Sequence, residues 1–380
     1  MTTERTIPIA VPTIGDEEWQ ALREPLESGW LTQGPKVAAF EAAFAERHQV
    51  AHAFATTSCT TALHLTLAAL GIGPGDEVVV PAFTWIATAN AVVYCGATPV
   101  FADVDRRTYN IDVADVERKT TARTKAIVPV HLFGATADID ALREILREGT
   151  AIVEDAACAA GAAYRGRPAG GLGDAAAFSF HPRKSITTGE GGMVTTDDPD
   201  LAERIARLRS HGAALSEEQR HVGSAPYLLP AFDDLGFNYR MTDLQAAVGI
   251  VQLGRLDEFI SERGFLAARY FERLADVSWL TLPEVPADGR HGWQSFVGVV
   301  EDGAPASRNE ILATLHEAGV GARPGTHAVP DLGLYRRRRD PGHDSCPTAS
   351  ELAQRTLALP LHNQMTEVDV DRVAAALHDL

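Results

Sequence analysis

The chain has 380 residues, with 34 Lys and Arg against 51 Asp and Glu, a formal net charge of −17, 45% hydrophobic and 22% charged residues. That acidity argues against a nucleic-acid partner, because no net positive field recruits phosphates. No stretch approaches the roughly 18 uninterrupted apolar residues of a membrane span, and the length suggests two domains that need no disulfides to bury a core.

Read in chain order, helix-like and strand-like segments alternate over the first two thirds. A helix is expected over 60–70 and a strand over 77–80, then a helix over 84–94 and a strand over 98–102. A short helix follows over 113–119, a strand over 125–131 and a helix over 138–147. The run 151–153 reads as a buried strand that ends on Glu154 and Asp155, 175–180 as another strand, and 199–209 as a helix. Alternation of this kind with short Gly-rich connections predicts an α/β fold, a mostly parallel central sheet with helices on both faces. The last third changes character. Long helices are expected over 242–259 and 261–274, a strand over 293–300, and helices over 307–317 and 367–377. A domain change is therefore expected near residue 255, with a large domain over 1–255 and a smaller α+β domain over 256–380.

The cysteines, Cys59, Cys95, Cys158 and Cys346, form no C-x-x-C pair, so reduced thiols and no metal are expected. The N-terminus carries Glu4 and no apolar run of signal-peptide length, which suggests a cytoplasmic protein. The run Arg336 to Arg339 is the one dense basic patch and reads as a solvated edge.

Four pieces fall at predicted strand ends or helix starts, where open α/β sheets bind ligands. Thr56, Thr57, Ser58, Cys59, Thr60 and Thr61 open a helix, and free N–H groups there suit a phosphate or an ordinary cap. Asp155 follows a buried strand, where an acid can hold a protonated ring nitrogen of the kind pyridoxal 5'-phosphate carries. Lys184 follows Ser179 by five residues and precedes a glycine cluster at Gly189, Gly191 and Gly192. Such a lysine can form a Schiff base once it loses its proton. Trp85 follows the strand over 77–80 and can stack on a flat ring. Lysines are scarce. Lys36 precedes the first predicted helix, and Lys119 and Lys125 flank a crossover at the starting end of a strand, so Lys184 is the one candidate beside the crevice.

In this order the motifs resemble those of the nucleotide-sugar aminotransferases, the DegT/DnrJ/StrS family of fold-type I pyridoxal phosphate enzymes. The markers are Gly71, Gly73, Gly75 and Asp76; Glu154 and Asp155; Phe178 through Lys184 with Thr188 to Gly192; and Gly236 through Met241. They span nearly the whole chain. The resemblance implies that Lys184 is the Schiff-base lysine and proton shuttle, and that Asp155 partners the pyridine nitrogen. It implies that Trp85 stacks on the ring and that Cys59, Thr60 and Ser179 bind the phosphate. Asn238 would reach the phosphate of a neighbouring subunit in a homodimer with shared sites. His181 and Glu190 would support the lysine, and His327 would lie near the sugar. Two positions depart from the pattern. Cys158 stands where relatives often place Gln or His near the ring hydroxyl, and thiols hydrogen-bond weakly. After His327 the chain reads Ala328 to Asp331 instead of an aromatic with Pro-Leu-His.

The implied reaction moves an amino group from glutamate or glutamine to the ketone of a nucleotide-linked keto-deoxysugar. A keto-cyclitol acceptor remains an alternative. A dehydratase on the same fold would replace the lysine with histidine, so Lys184 argues against it. A nicotinamide dehydrogenase would need G-x-G-x-x-G between a strand and a helix, whereas Gly71, Gly73 and Gly75 follow a helix. A cofactor-binding sensor is the non-enzyme alternative. It would bind the amino donor without converting it.

Overall fold

The computed structural model describes residues 5–213, 231–286, 288–338 and 345–380. Its centre is a seven-stranded sheet. In chain order the strands are β1 (His52–Thr56), β2 (Glu77–Pro81), β3 (Thr98–Ala102), β4 (Thr124–Ile127), β5 (Ala151–Asp155), β6 (Ala175–Ser179) and β7 (Gly192–Thr196). They lie in the order β1-β7-β6-β5-β4-β2-β3. The pairs β6/β5, β5/β4, β4/β2 and β2/β3 are parallel, and β7 alone runs against its neighbours β1 and β6. The expected mostly parallel sheet is therefore present. Buried runs such as Val78–Val80 and Ala126–Val128 are apolar because helices cover both faces.

Helices α1 (Pro35–His48), α2 (Cys59–Ala69), α3 (Ala87–Tyr94), α4 (Val113–Lys119), α5 (Ile139–Ile145) and α6 (Pro199–Arg209) accompany this sheet. Asp112, Asp138 and Asp198 cap the last three through their first-turn N–H groups. Helix α1 is started differently. Its early N–H groups on Lys36 and Val37, with that of Gly34, donate to the carboxylate of Asp243 at 2.8 to 3.0 Å. Asp243 itself opens α7 (Asp243–Gly254).

The expected pair of helices over 242–259 and 261–274 is divided elsewhere. The break falls at Arg255 (φ −97°, ψ 1°), and α8 runs from Leu256 to Arg273. Apolar spacing continues through both helices, so it carries no sign of the break. The strand expected over 293–300 starts only at Phe296, because Trp293 has a φ of +44°. The helix expected from residue 84 starts at Ala87, and Phe83–Thr84 is a short strand instead. A second, antiparallel sheet has the order β8 (Leu280–Thr281), β9 (Phe296–Val300), β11 (Thr356–Leu359), β10 (Arg323–Pro324). Helices α9 (Arg308–Glu317), α10 (Pro347–Arg355) and α11 (Glu367–His378) pack around it.

Arg336, Arg337 and Arg338 are exposed at the end of a four-residue helix, as expected of a solvated edge, and Arg339 lies outside the described residues. Among the described residues no helix is long and apolar enough to cross a membrane, and no group of three or more His, Cys, Asp or Glu could hold a metal.

Candidate active site

Parallel strands bring the ends of β1, β2, β5 and β6 to one edge of the sheet, and the four pieces singled out above gather there. Asp155 is the last residue of β5 and is buried. Its Oδ2 accepts a hydrogen bond from the Thr88 hydroxyl at 2.7 Å, and its Oδ1 accepts one from the Ala157 N–H at 3.2 Å. Burial raises the Asp155 pKa above its ordinary value, and those two donors with the Lys184 charge offset only part of it. The Cys59 thiol lies 3.9 Å from Asp155 Oδ1, and burial beside that carboxylate pushes it well above the usual thiol range.

Glu154 is not part of this crevice. Side chains of adjacent strand residues point to opposite faces, and Glu154 turns into the protein behind β5. There it accepts the N–H groups of Gly170, Leu172 and Gly173 at 2.8 Å each, and His131 Nε2 lies 2.8 Å away. His131 Nδ1 accepts from the Ala137 N–H, which leaves Nε2 as the donor to Glu154. Those bonds outweigh the effect of burial and keep Glu154 below the usual carboxylate range.

Lys184 donates from Nζ to Cys158 Sγ at 3.2 Å. Burial lowers the affinity of this amine for its proton, but Cys158, Cys59 and Asp155 outweigh that effect and hold it above the ordinary lysine value. Lys125 is exposed, and Lys36 and Lys119 are engaged elsewhere. Lys36 pairs with Glu24 at 2.5 Å. The position expected for Lys119 needs correction: its Nζ reaches Phe101 O at 2.6 Å, near the finishing end of β3, because Asp115 holds it there at 3.1 Å. Strand β3 is the far edge of the sheet, so Lys119 still stands away from Asp155.

The first turn of α2 faces the same edge. Ser58 caps it by accepting the Thr61 N–H, and the N–H groups of Cys59 and Thr60 have no acceptor inside the helix. Strand β7 begins against this turn. A Cβ on Gly192 would stand 2.5 Å from Ser58 C and 2.7 Å from Cys59 N, so the close approach requires glycine. Ser179 ends β6 beside it, its hydroxyl accepting the His181 N–H at 3.4 Å. Burial and neighbouring cations keep His181 below the ordinary histidine value. Glu190 contributes its backbone carbonyl to Thr188 and Gln245. Trp85 is 61% exposed at the rim, and its ring centroid is 5.6 Å from that of His327. His327 arrives there because His327–Ala328 pairs with Phe83–Thr84. Asn238 is exposed, bridged to Ser210, and among the described residues no hydrogen bond ties it to the Asp155–Lys184 cluster.

The donor set suits a phosphorylated, nitrogenous ring: free N–H groups at a helix start, a fixed carboxylate, an amine and an exposed indole. A family model described as the DegT/DnrJ/EryC1/StrS aminotransferase family matches residues 12–378. The chain belongs to that family.

This aminotransferase is 42% identical over 374 residues to the GDP-perosamine synthase of Caulobacter vibrioides, covering 98% of the chain and 97% of the relative. Among solved structures it is similar to Spr1654 of Streptococcus pneumoniae, assigned as a sugar aminotransferase, at 29% identity and a TM-score of 0.91 over 98% of both chains. That protein has been solved with PMP and with PLP. It is also similar to DesV of S. venezuelae, at 36% identity and a TM-score of 0.88 over 99% of this chain and 98% of that one. The aminotransferase is thus a pyridoxal-phosphate-dependent transaminase of fold type I. Sequence reasoning missed Thr88, the neutral donor that orients Asp155. Its contact spans 67 residues of chain and leaves no local pattern.

Proposed function

We propose that this aminotransferase moves an amino group from glutamate or glutamine to the ketone of a nucleotide-linked keto-sugar. The observation that carries the chemistry is the gathering of Asp155, with Cys59 against it, and Lys184, with Cys158 against it, beside the open start of α2. Similarity to a GDP-perosamine synthase over nearly the whole chain supports the nucleotide-linked acceptor.

In this reading Cys59, Thr60 and Ser179 would hold the phosphate, the exposed face of Trp85 would cover the ring, and Asp155 would hold the ring nitrogen's proton. Bound pyridoxal phosphate supplies an electron sink for the bond broken at the donor's Cα. Thr88 and Ala157 keep both Asp155 oxygens turned to the crevice, so no reorganisation is needed when positive charge sits opposite them. Lys184 Nζ, which loses its proton in joining the cofactor and is released as a neutral amine when the donor takes its place, would take the Cα proton of the donor and return a proton when the acceptor is aminated. His181 and Glu190 shape the lysine loop, and His327 lies on the acceptor side with Trp85. Residues 1–255 act as the cofactor-binding domain and 256–380 as a smaller one.

A second copy of the chain would cover Trp85 and the 92% exposed Leu235, and Asn238 would then reach the partner's phosphate. The enzyme works in the cytoplasm in this reading. Lys184→Ala is expected to abolish turnover and the visible absorbance of the lysine-bound cofactor; retention of both would overturn the assignment. A panel of keto-sugar nucleotides and keto-cyclitols offered to the amine-loaded enzyme identifies the acceptor. Amination of cyclitols alone would overturn the nucleotide-sugar reading. Loss of activity on dilution, followed against molecular mass, checks the shared site, which an active monomer would contradict.

A further inference from the structure

The amino transfer leaves the Cys158 thiol without a task, although that thiol touches the amine on which the reaction depends. Lys184 Nζ donates to Cys158 Sγ at 3.2 Å, and both residues are half-buried. Reactive thiols sit beside a cation with partial access to solvent, and Cys158 meets both conditions. The other two contacts of this kind do not. Burial, and then the Asp155 carboxylate, keep the Cys59 thiol protonated. Lys119 Nζ lies 3.5 Å from Cys346 Sγ, but that sulfur is buried, and burial pushes its thiol up to about 12. Asp115 at 3.1 Å and Phe101 O at 2.6 Å already hold the Lys119 ammonium.

We propose that Cys158 is an oxidation site, and that its product with hydrogen peroxide is a covalent bond from Cys158 Sγ to Lys184 Nζ. The sulfur, as thiolate, attacks one peroxide oxygen. The O–O bond breaks, the departing hydroxide takes a proton to become water, and a sulfenic acid remains. Sulfur has lost two electrons and peroxide has gained them. The Nζ lone pair then displaces hydroxide from sulfur, and a proton from the nitrogen leaves with it as a second water. One S–H and one N–H bond are thus replaced by one S–N bond, and no further oxidant is consumed. Sulfenic acids close on backbone nitrogen in the same way. The first step also readies the amine. Burial works to strip the Lys184 proton, and the charge on Cys158 opposes it. A neutral sulfenic acid takes that charge away. Two equivalents of an added thiol reverse the bond, returning thiol and amine and leaving the reductant as its disulfide. While the bond lasts, Lys184 cannot join pyridoxal phosphate; this consequence, unlike the bond itself, rests on the reading of Lys184 as the Schiff-base lysine. Prior loading with the cofactor occupies the nitrogen and protects the pair.

The test treats the cofactor-free chain with hydrogen peroxide, stops the reaction with catalase and reads the intact mass before pyridoxal phosphate is added. The product is expected to be lighter by two hydrogen atoms and to develop none of the visible absorbance of lysine-bound cofactor. Dithiothreitol should restore both the mass and the absorbance. Unreduced peptides should show Cys158 joined to Lys184 and Lys119 free of Cys346. Cys158→Ser should lose no hydrogen mass, whereas Cys59→Ser should still form the link. Gain of oxygen alone, a link at Lys119, or loss of the link in Cys59→Ser, which would mean a disulfide, would overturn the proposal. The wild-type peptide map decides the matter even if Cys158→Ser fails to fold. Equal linking in enzyme loaded with cofactor beforehand would overturn the protection. A linked chain that still developed the cofactor absorbance would overturn the blockade and the role of Lys184 together, while a chain that never links leaves that role standing.

Discussion

The Thr88 hydroxyl is the shortest of the contacts that orient Asp155, at 2.7 Å. Without it the buried carboxyl would lose a donor that favours its ionised form, and its pKa would rise further. Thr88→Val is therefore expected to move the acid limb of the kcat profile to higher pH. It should cost about tenfold in kcat/KM on that limb, the worth of about one hydrogen bond to a charged group. An unshifted profile would show that Thr88 only fills space. At this scale the sequence carried the chemical groups well. Asp155, Cys59 and Thr60 stand at strand or helix ends that periodicity locates, and Lys184 lies in the loop that follows β6. It could not supply the partners. Cys158 beside Lys184 and Thr88 beside Asp155 are tertiary contacts, and the inward turn of Glu154 was available from strand alternation alone.

At the scale of elements, the start of α2 is supported from two directions. Ser58 caps the Thr61 N–H, and the absence of a side chain on Gly192 admits β7 against the same turn. Ser58→Ala is expected to lower stability by about 1 kcal/mol in urea unfolding. Gly192→Ala should cost more, about 1–3 kcal/mol for an overpacked site, because the atoms it meets are backbone and the strand must move. Both variants should lose cofactor faster on dialysis. Stability and retention equal to wild type in Gly192→Ala would show that the approach is not needed. Helix α4, bounded at residues 113 and 119 as expected, was legible because Asp112 caps it and its last turn is basic. Strands β1 and β7 were not. His52–Thr56 lacks a continuous apolar run, and β7 begins in a glycine cluster that reads as loop. Their place in the sheet comes from long-range antiparallel pairing.

Across the whole molecule, three buried histidines are held neutral. Burial lowers His48 to about 4, His291 to about 3, and His362 to about 4 with help from the charge of Arg263. The Nε2 atoms of His48 and His362 have no hydrogen-bond partner. Each group binds its proton more readily when unfolded, near 6.5, than when folded. Stability is therefore full above about 6.5 and falls as the pH drops towards the folded values. His48 alone is expected to cost about 2 kcal/mol at pH 5. Melting temperatures at pH 7 and pH 5 should show the drop, and His48→Leu should flatten it; an equal drop in that variant would assign the acid sensitivity elsewhere. His48 packs under the large sheet against Phe44 and Phe178, and His291 stacks on Trp293 beside the small one. Mild acid should loosen both.

The carboxylate of Asp243 has a consequence in time. It completes the start of α1 across 206 residues of chain between Val37 and itself. A ribosome adding about 5–20 residues per second needs roughly 10–40 s to make that stretch. Through that interval the emerging helix has its start, and the part of its face that packs on α7, without their final partners. A chaperone that binds unpartnered apolar helices would find its target there.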